Sequence, residues 1–346
     1  MKLQGTMSIN EKGHLEIGGC DTVELKEQYG TPLVVIDEGS LKSICDEYYK
    51  NFTARENSLV LYASKAFITP SVLAVVKKAG LGLDTVSGGE LYMAKNAGFP
   101  MEKVFFHGNN KTFEEINMAI DYKIGRIVLD NHYEIGNVDK IAGEKQAKPD
   151  VLLRITPGID AHTHDFIKTG HIDSKFGFTL QTGDAMEGVE RAVKAEHLNF
   201  KGLHCHIGSQ IFGTESFSHA AKVMIDFIRE IKDKLGVEVE DLDIGGGRGI
   251  YYTKGDDPTS IENYSEAIFS TLKKYASEYG LKMPKVYIEP GRSIIGPCGT
   301  NLYTVGSIKE IPGIRKYVAV DGGMSDNIRP ALCGAVYEGG IASRMN

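Results

Sequence analysis

The sequence is poor in the features that mark disulfide-rich, zinc-stapled, membrane-spanning and nucleic-acid-binding proteins. Its five cysteines are scattered through 346 residues, with no C-x-x-C pair and no clustered His/Cys spacing. This argues against a disulfide framework, a structural zinc site or any other metal centre. No run of about 18 apolar residues occurs, so no membrane-spanning helix is predicted. A formal net charge of -7 gives no electrostatic reason to expect nucleic acid or an anionic membrane as partner.

The remaining composition is that of an ordinary globular protein, with 42% hydrophobic and 25% charged residues and no low-complexity run. The N-terminal stretch MKLQGTMSINEKGH is polar and has no apolar core, so we do not interpret it as a signal peptide. Together with scattered, unpaired thiols, this predicts a cytoplasmic protein.

Eight short apolar runs alternate with helical patterns from about residue 60 onward. An amphipathic example is SHAAKVMIDFIREIKDKLG at 218–236, which ends on a glycine stop signal. Apolar strands that alternate with helices indicate parallel pairing, and eight such units favour a closed (β/α)₈ TIM barrel over an open doubly wound sheet. The strand candidates are LVLYA (59–63), LGLDTV (81–86), VFFHG (104–108), RIVLD (126–130), VLLRITPG (151–158), FKGLHCHIG (200–208), LDIGGG (242–247) and KVYIEP (285–290).

Both ends of the chain lie outside these eight units. Near the N-terminus, LVVID follows a helical KEQYG turn, and toward the C-terminus NLYTVGSI and KYVAVDGG have the character of strands. The pattern therefore predicts a barrel over residues 38–295 and a second, β-rich domain built from residues 1–37 and 296–346.

Polar residues follow the predicted barrel strands, at the end where barrel active sites lie. Lys65 is the first of them, and it stands among Ala63, Ala66 and Phe67. One interpretation is a lysine whose stem covers apolar surface while its ammonium reaches water. The other is a Schiff-base lysine, whose amine pKa is lowered by burial so that the lone pair can attack an aldehyde. The other strand-end polar residues are Asp84, His107, Asp130, Arg154, His206, Glu289 and Arg292.

Two glycine-containing turns add a second chemical signal. DIGGGRG at 243–249 is either a tight turn or a small nest of backbone N–H groups for a phosphate, to which Arg292 of EPGR and Ser209 would contribute. A carboxylate such as Glu289 binds metal, acts as a base or pairs with a cation. Pyridoxal phosphate would use these parts together, since it has an aldehyde, a phosphate and a pyridine nitrogen. His206 is either a stacking group for its ring or a core histidine.

At this point the sequence resembles a known family. The segments LYASKAF, LDTVSGGE, HGNNK, RITPGIDAHTHDFIKTG, SKFGF, HCHIGSQ, DIGGGRG, EPGR and VDGGMSDNIRPAL occur in this order. They are similar to the bacterial diaminopimelate decarboxylases, which are fold-type III pyridoxal-phosphate decarboxylases, from about residue 30 to the end. The resemblance implies decarboxylation of meso-2,6-diaminopimelate to L-lysine and CO₂, in a homodimer.

The resemblance also implies residue roles. Lys65 would carry the cofactor, His206 would stack on its ring, and Glu289 would pair with its pyridine nitrogen. Arg292 would hold phosphate and a substrate carboxylate, and Arg329 would hold a substrate carboxylate. The remaining cofactor contacts that it implies are Asp84, Ser209, Gly246, Gly247 and Gly291.

The sequence departs from the family pattern in two places. RPALC has Cys333 where the family has a substrate-contacting tyrosine, and a thiol is a poorer hydrogen-bond partner than a phenol. The sequence also ends at ASRMN, before the family's C-E-S-G-D motif, whose cysteine is taken as the proton donor. We therefore expect a C-terminally shortened β-domain, and cofactor binding more than turnover. The alternatives are a catalytically impaired cofactor-binding homologue and a related ornithine, arginine or carboxynorspermidine decarboxylase.

Overall fold

The protein is described by a computed structural model, which covers residues 1–159 and 174–345. It contains two compact units. The barrel unit comprises Ile44–Ile250 and Asp257–Ile294, and the terminal unit comprises Met1–Ser43, Tyr251–Asp256 and Ile295–Asn346. In the described residues, no helix combines the length and the apolar character that crossing a membrane requires.

The regular elements follow one another in the alternating order that the sequence predicts. Within the described residues the strands are β1 (Ser8–Ile9), β2 (Leu15–Ile17), β3 (Cys20–Asp21), β4 (Leu33–Ile36), β5 (Ser58–Ala63), β6 (Gly82–Thr85), β7 (Val104–Phe106), β8 (Arg126–Leu129), β9 (Asp150–Thr156), β10 (Phe178–Thr179), β11 (Asn199–Cys205), β12 (Asp241–Asp243), β13 (Lys285–Ile288), β14 (Gly299–Leu302), β15 (Val305–Ile311) and β16 (Arg315–Val320). In the same residues the α-helices are α1 (Thr22–Tyr29), α2 (Glu38–Tyr48), α3 (Pro70–Lys78), α4 (Gly88–Asn96), α5 (Phe113–Asp121), α6 (His132–Glu144), α7 (Asp184–Lys194), α8 (Glu215–Leu235), α9 (Ile261–Tyr279), α10 (Arg292–Ile295) and α11 (Arg329–Cys333).

The barrel unit is a closed ring of parallel strands. Its pairing order is β5-β6-β7-β8-β9-β11-β12-β13, and β13 pairs back onto β5. Each of the eight strand candidates in the sequence corresponds to one of these strands. The short β10 adds a further parallel pairing to β9 outside the ring. The predicted fold class, a (β/α)₈ barrel with additional β-structure, is thus confirmed.

The interior of the barrel is filled with side chains, so the barrel has no open pore. The aromatic rings of Phe105 and Tyr287 lie with their centroids 4.8 Å apart, and both side chains are buried. This apolar layer fills the axis of the barrel. The polar side chains at the carboxyl ends of the strands therefore lie above packed apolar side chains and not above an open channel. The residues of this interior cluster are Leu59, Leu61, Phe105, Val128, Leu152 and Tyr287.

Short capped turns lead from four strands into their helices. Thr69, Ser87, Thr112 and Asn131 each precede a helix, and each side chain accepts a hydrogen bond from the backbone N–H three residues further on. Such N-caps satisfy backbone donors that a helix start leaves unpaired. The caps fix the residue at which each helix begins. The short segment between strand and cap, which contains the polar residues, is therefore fixed at both of its ends.

The terminal unit contains small antiparallel sheets. β4 pairs with β14, with Leu33 opposite Leu302 and Ile36 opposite Gly299. This pairing joins the N-terminal and C-terminal parts of the chain. β15 pairs with β16, and β1, β2 and β3 form a three-stranded sheet. The strands in LVVID, NLYTVGSI and KYVAVDGG were expected from the sequence, whereas β1–β3 were not.

Candidate active site

Lys65 lies just beyond β5, on a single 3₁₀ turn formed by Ser64–Ala66. Its Nζ is 3.4 Å from Oδ2 of Asp84, which is itself fully buried in β6, and 51% of the Lys65 side chain is exposed. The Asp84 carboxylate raises the pKa of Lys65 above its ordinary value. Burial lowers this pKa, as expected, but the adjacent carboxylate outweighs burial by stabilising the ammonium form, so the expected lowered pKa is not found.

Glu289, directly after β13, is held by two histidines. Its Oε1 lies 2.6 Å from Nε2 of His107, and its Oε2 lies 3.2 Å from Nε2 of His204. The same His107 nitrogen is 3.7 Å from Oδ1 of Asp84. Lys65, Asp84, His107, Glu289 and His204 thus form a continuous series of ionisable groups across the end of the barrel.

The charges in this series follow from burial and contact. Burial alone would raise the pKa of Glu289, but His107 and His204 outweigh it and hold that pKa well below its usual range. Burial lowers the pKa of His204 to about 4, so His204 is neutral at physiological pH. Burial, together with the charge of Glu289, raises the pKa of Asp243 well above its usual range. Of the two neighbouring carboxyl groups, Glu289 is therefore the one that carries negative charge.

The glycine turn after β12 is packed against the loops of neighbouring strands. A Cβ added to Gly246 would lie 2.2 Å from the Glu289 carbonyl oxygen, and one on Gly247 would lie 2.5 Å from the Gly208 carbonyl oxygen. Gly245 N–H donates to Oδ1 of Asp243 at 2.8 Å, and Gly246 N–H donates to Nδ1 of His206 at 3.3 Å. The turn therefore requires glycine for close approach, and it is tied to the same cluster that contains Glu289.

The other predicted cofactor residues lie in the loops that continue from the barrel strands. His206 and Ser209 follow β11, and both are partly buried. Burial lowers the pKa of His206 well below its ordinary value, so it is a neutral ring that accepts the Gly246 N–H. Gly291 follows β13, where a Cβ would lie 3.0 Å from that of Ala63, and Arg292 begins α10.

Arg154 and Asp130 are further members of the strand-end set. Arg154 Nε is 3.9 Å from Oδ1 of Asp130, and its guanidinium lies 4.2 Å from the centre of the Phe176 ring. Burial lowers the pKa of Arg154. The segment DAHTHDFIKTG, at 160–170, which is part of the resemblance to the family, lies outside the described residues.

Two predicted substrate contacts belong to the terminal unit. Arg329 and Cys333 lie on α11. The Arg329 guanidinium donates to the Tyr337 hydroxyl and lies 4.9 Å from the centre of the Tyr252 ring. The Cys333 thiol donates to the Arg329 carbonyl oxygen at 3.2 Å. Their roles toward a substrate stay predictions.

Sequence reasoning missed His204 and Asp243 as members of the site. Both are buried and lie within their strands, β11 and β12, where a polar residue is easily taken for a satisfied core group. One signal was available, because the H-C-H spacing places His204 and His206 on the same side of the chain in an extended strand.

The residues fit pyridoxal phosphate in the chemistry of their donor set. The barrel end offers an amine, a glycine turn that a side chain would fill, and a buried anionic carboxylate, which match an aldehyde, a phosphate and a pyridine nitrogen. His107, His204, Asp243 and Glu289 also include enough ligand atoms, all within 4.8 Å, for a metal ion. However, Nε2 of His107 and Oε1 of Glu289 lie only 2.6 Å apart, whereas two ligands of one tetrahedral zinc ion are about 3.3 Å apart.

Fold and site together define a barrel enzyme of the kind that holds an aldehyde cofactor, and comparisons with known proteins agree. A family model described as "Pyridoxal-dependent decarboxylase, pyridoxal binding domain" matches residues 38–296. The diaminopimelate decarboxylase of Bacillus methanolicus is 50% identical over 345 residues, which are 99% of this chain and 80% of that protein. The enzyme of the same name from Bacillus subtilis strain 168 is 49% identical over 346 residues, or 100% of this chain and 79% of its own length.

A solved structure shows the same likeness in three dimensions. The diaminopimelate decarboxylase of M. jannaschii in complex with L-lysine is 37% identical, with a TM-score of 0.90, and the match covers 96% of this chain and 77% of that one. The chain therefore belongs to the diaminopimelate decarboxylase family of the pyridoxal-dependent decarboxylases.

Replacing Gly246 by alanine is expected to weaken pyridoxal phosphate binding by about tenfold or more and to lower the melting temperature. The added Cβ would lie 2.2 Å from a backbone oxygen, and overpacking of this kind typically costs about 1–3 kcal/mol. Absorbance titration and thermal unfolding measure the two effects. Gly136→Ala is the matched control, because it lies in α6 with nothing within 4 Å of its Cβ. Equal cofactor affinity in both variants would contradict the prediction.

Proposed function

We propose that this chain is a pyridoxal-phosphate-dependent decarboxylase that converts meso-2,6-diaminopimelate to L-lysine and CO₂. The observation that carries the proposal is the identity of 42–50% to diaminopimelate decarboxylases over nearly all of this chain, combined with a strand-end lysine paired to Asp84 and an anionic Glu289. The proposed cofactor-binding domain spans residues 38–295, and residues 1–37 and 296–346 are the proposed second domain.

Each proposed cofactor residue has a role that its surroundings support. Lys65 binds the aldehyde carbon, and Glu289 holds the proton of the ring nitrogen at a carboxylate oxygen. His206, a neutral ring beside the glycine turn, stacks on the cofactor ring. When bound, the cofactor supplies an electron-accepting ring, which takes up the electron pair of the broken bond to the carboxylate. The proposed phosphate contacts are Ser209, Gly246, Gly247 and Arg292, with Asp84 and Gly291 completing the cofactor set.

The two arginines of the proposal provide substrate recognition. Diaminopimelate has a second amino acid centre, whose carboxylate must be recognised for the enzyme to distinguish it from lysine or ornithine. A guanidinium binds a carboxylate through two parallel hydrogen bonds. Arg292 and Arg329 are the proposed partners of substrate carboxylates, and this part of the proposal rests on their positions in the family motif.

Assembly and location are further parts of the proposal. A homodimer is expected from the family and is measured by light scattering after size-exclusion chromatography. In the described part of the chain, which includes all five cysteines, no disulfide is formed, which is the state that a reducing cytoplasm maintains.

The proposed activity is tested by adding pyridoxal phosphate and measuring CO₂ release from meso-diaminopimelate, L-ornithine, L-arginine and carboxynorspermidine in parallel. Release from diaminopimelate alone supports the proposal. Release chiefly from one of the other three would overturn the substrate assignment. A visible band of covalently bound cofactor without CO₂ from any of them would instead favour a cofactor-binding homologue that does not turn over.

Replacing Asp84 by asparagine is expected to shift the pH dependence of cofactor capture toward lower pH. Asp84 raises the pKa of Lys65, and only the neutral amine attacks an aldehyde. In the parent chain, the capture rate therefore rises with pH up to that raised pKa, and removal of the carboxylate lowers the pKa. Stopped-flow absorbance across a pH series measures the shift. Asp121→Asn, an exposed residue paired with Lys145, is the control, and an unshifted Asp84→Asn profile would contradict the prediction.

Replacing Cys333 by tyrosine is expected to lower KM for diaminopimelate. A phenol reaches further than a thiol and is a stronger hydrogen-bond partner, and the Cys333 thiol is already used on the Arg329 carbonyl oxygen. Steady-state CO₂ release gives KM, and Cys20→Ser, an exposed cysteine in β3, is the control. An unchanged or higher KM in the tyrosine variant would count against a substrate contact at this position.

A further inference from the structure

Glu289 is enclosed by groups from strands that are not neighbours in the barrel. His107 follows β7, His204 lies in β11, and Glu289 follows β13. The three side chains are 4%, 1% and 3% exposed, and the two imidazole rings meet edge to face with centroids 4.8 Å apart. Because non-adjacent strands meet only across the interior of a barrel, this contact is built by the fold as a whole.

A buried carboxylate needs partners, and the choice of partner determines what charge remains. Among the described residues, the ion-pair contacts of Glu289 are with these two histidines. An ionised carboxylate only accepts hydrogen bonds, so Nε2 of His204, which is hydrogen-bonded to Oε2, carries a proton. Nε2 of His107 approaches the other oxygen to 2.6 Å. His204 is neutral and donates without adding positive charge. A lysine or arginine in its place would neutralise Glu289 and remove the field that attracts a proton to a ring nitrogen.

We propose that His107 and His204 are positioning residues that hold one oxygen each of Glu289, and so direct its negative charge at the ring nitrogen of the bound cofactor. This inference rests on the proposed function, in which Glu289 faces that nitrogen. It assigns a role to two side chains that would otherwise be core histidines. Neither of them is required to touch the cofactor.

The geometry of the two contacts also explains why both histidines are needed. A carboxylate held at one oxygen can rotate about its last side-chain bond, which is a broad torsion. With Oε2 hydrogen-bonded to His204 and Oε1 2.6 Å from Nε2 of His107, that rotation is restricted. The remaining lone pairs of the two oxygens then have fixed directions, which is what preorganised electrostatic stabilisation requires.

Two cofactors are used to distinguish two explanations. In the first, the histidines orient the negative charge of Glu289, and in the second, they only contribute to packing. Pyridoxal phosphate and 1-deazapyridoxal phosphate have the same shape, but the second has a C–H in place of the ring nitrogen. Dissociation constants for both are measured by absorbance titration on the full chain. In the parent chain, pyridoxal phosphate is expected to bind more tightly than the deaza analogue, and the ratio of the two constants reports the contact to Glu289.

The variants are matched by where they place a donor. Glutamine reaches the position of histidine Nε2 with an amide N–H, whereas asparagine reaches only that of Nδ1. His204→Asn is expected to lower the preference for pyridoxal phosphate by about tenfold, the effect of losing a hydrogen bond to a charged group. His107→Asn is expected to lower the same preference, because it removes the nitrogen that lies 2.6 Å from Oε1. His204→Gln and His107→Gln are expected to retain most of it. Circular dichroism checks that each variant is folded.

Several results would overturn the inference. If the asparagine variants weaken both cofactors by the same factor, the histidines only support packing. If the glutamine and asparagine variants behave alike, the Nε2 donor is irrelevant. Tight Zn²⁺ binding by the cofactor-free chain, lost in the glutamine variants, would show a metal site instead. A parent chain that binds pyridoxal phosphate and releases CO₂, but shows no preference over the deaza analogue, would leave the proposed function intact and remove this inference alone.

Discussion

Replacing Lys65 by alanine is expected to abolish the visible absorbance band of covalently bound pyridoxal phosphate and to lower CO₂ release by about 10²-fold or more. Lys65 is the amine that lies beside Asp84 at the end of β5. A covalent attachment needs an amine free to leave its partners. Half of the Lys65 side chain is exposed, so it is accessible to an aldehyde.

Lys111 is a buried lysine near this end of the barrel, and it cannot replace Lys65. Its Nζ donates to the carbonyl oxygens of Gly108 and Val128 and to Oε2 of Glu134, at 2.6–2.9 Å. These three bonds use all the donors of an ammonium group. The side chain is 1% exposed, so an aldehyde has no path to it. The loss in Lys65→Ala should therefore not be compensated by Lys111.

Borohydride reduction followed by peptide mass mapping identifies the attachment point directly. In the parent chain, the reduced cofactor is expected on the peptide that contains Lys65, and in Lys65→Ala no lysine is expected to be labelled. Lys78→Ala is the control, because Lys78 is an exposed residue at the end of the nearby helix α3 and its loss should change neither label nor rate. Labelling of Lys111, or an intact band in Lys65→Ala, would contradict the assignment.

The barrel could be predicted from the sequence because its strands have an unusually clear pattern. Parallel strands covered on both faces consist of continuous apolar runs, as in LVLYA, which lies within the fully buried β5. The strands β1, β2 and β3 could not be predicted in this way. They are two or three residues long. Leu15, Glu16 and Ile17 do alternate in burial, but three residues are too few to distinguish a strand from chance.

The site was predictable in its positions and less so in its electrostatics. The rule that polar residues cluster at the carboxyl ends of barrel strands found Lys65, Asp84, His107 and Glu289. The state of Lys65 was mispredicted because its pKa depends on Asp84, which lies 19 positions further along the chain. His204 was missed for the same reason, since Glu289 is 85 positions away. Interactions between such distant positions become visible only when the barrel closes.

Replacing Glu289 by glutamine is expected to lower kcat on the order of 10²-fold, while pyridoxal phosphate still attaches to Lys65. Glutamine has nearly the same shape but no charge, so it cannot hold a proton on the ring nitrogen. Its amide group would also turn an N–H toward one of the two histidine nitrogens, either Nε2 of His107 near Oε1 or Nε2 of His204 near Oε2. Since the low pKa of Glu289 reflects these same contacts, the variant removes the charge that they stabilise.

The division between kcat and KM distinguishes the possible roles of Glu289. If it acts on the ring nitrogen, its loss reduces the electron-accepting strength of the cofactor and therefore affects kcat, with KM for diaminopimelate nearly unchanged. Glu240→Gln, an exposed residue paired with Lys201, is the charge-matched control and should leave both constants as they are. An effect of Glu289→Gln confined to KM would make Glu289 a substrate-binding group. Loss of covalent attachment would instead show that its charge is needed to hold the cofactor at all.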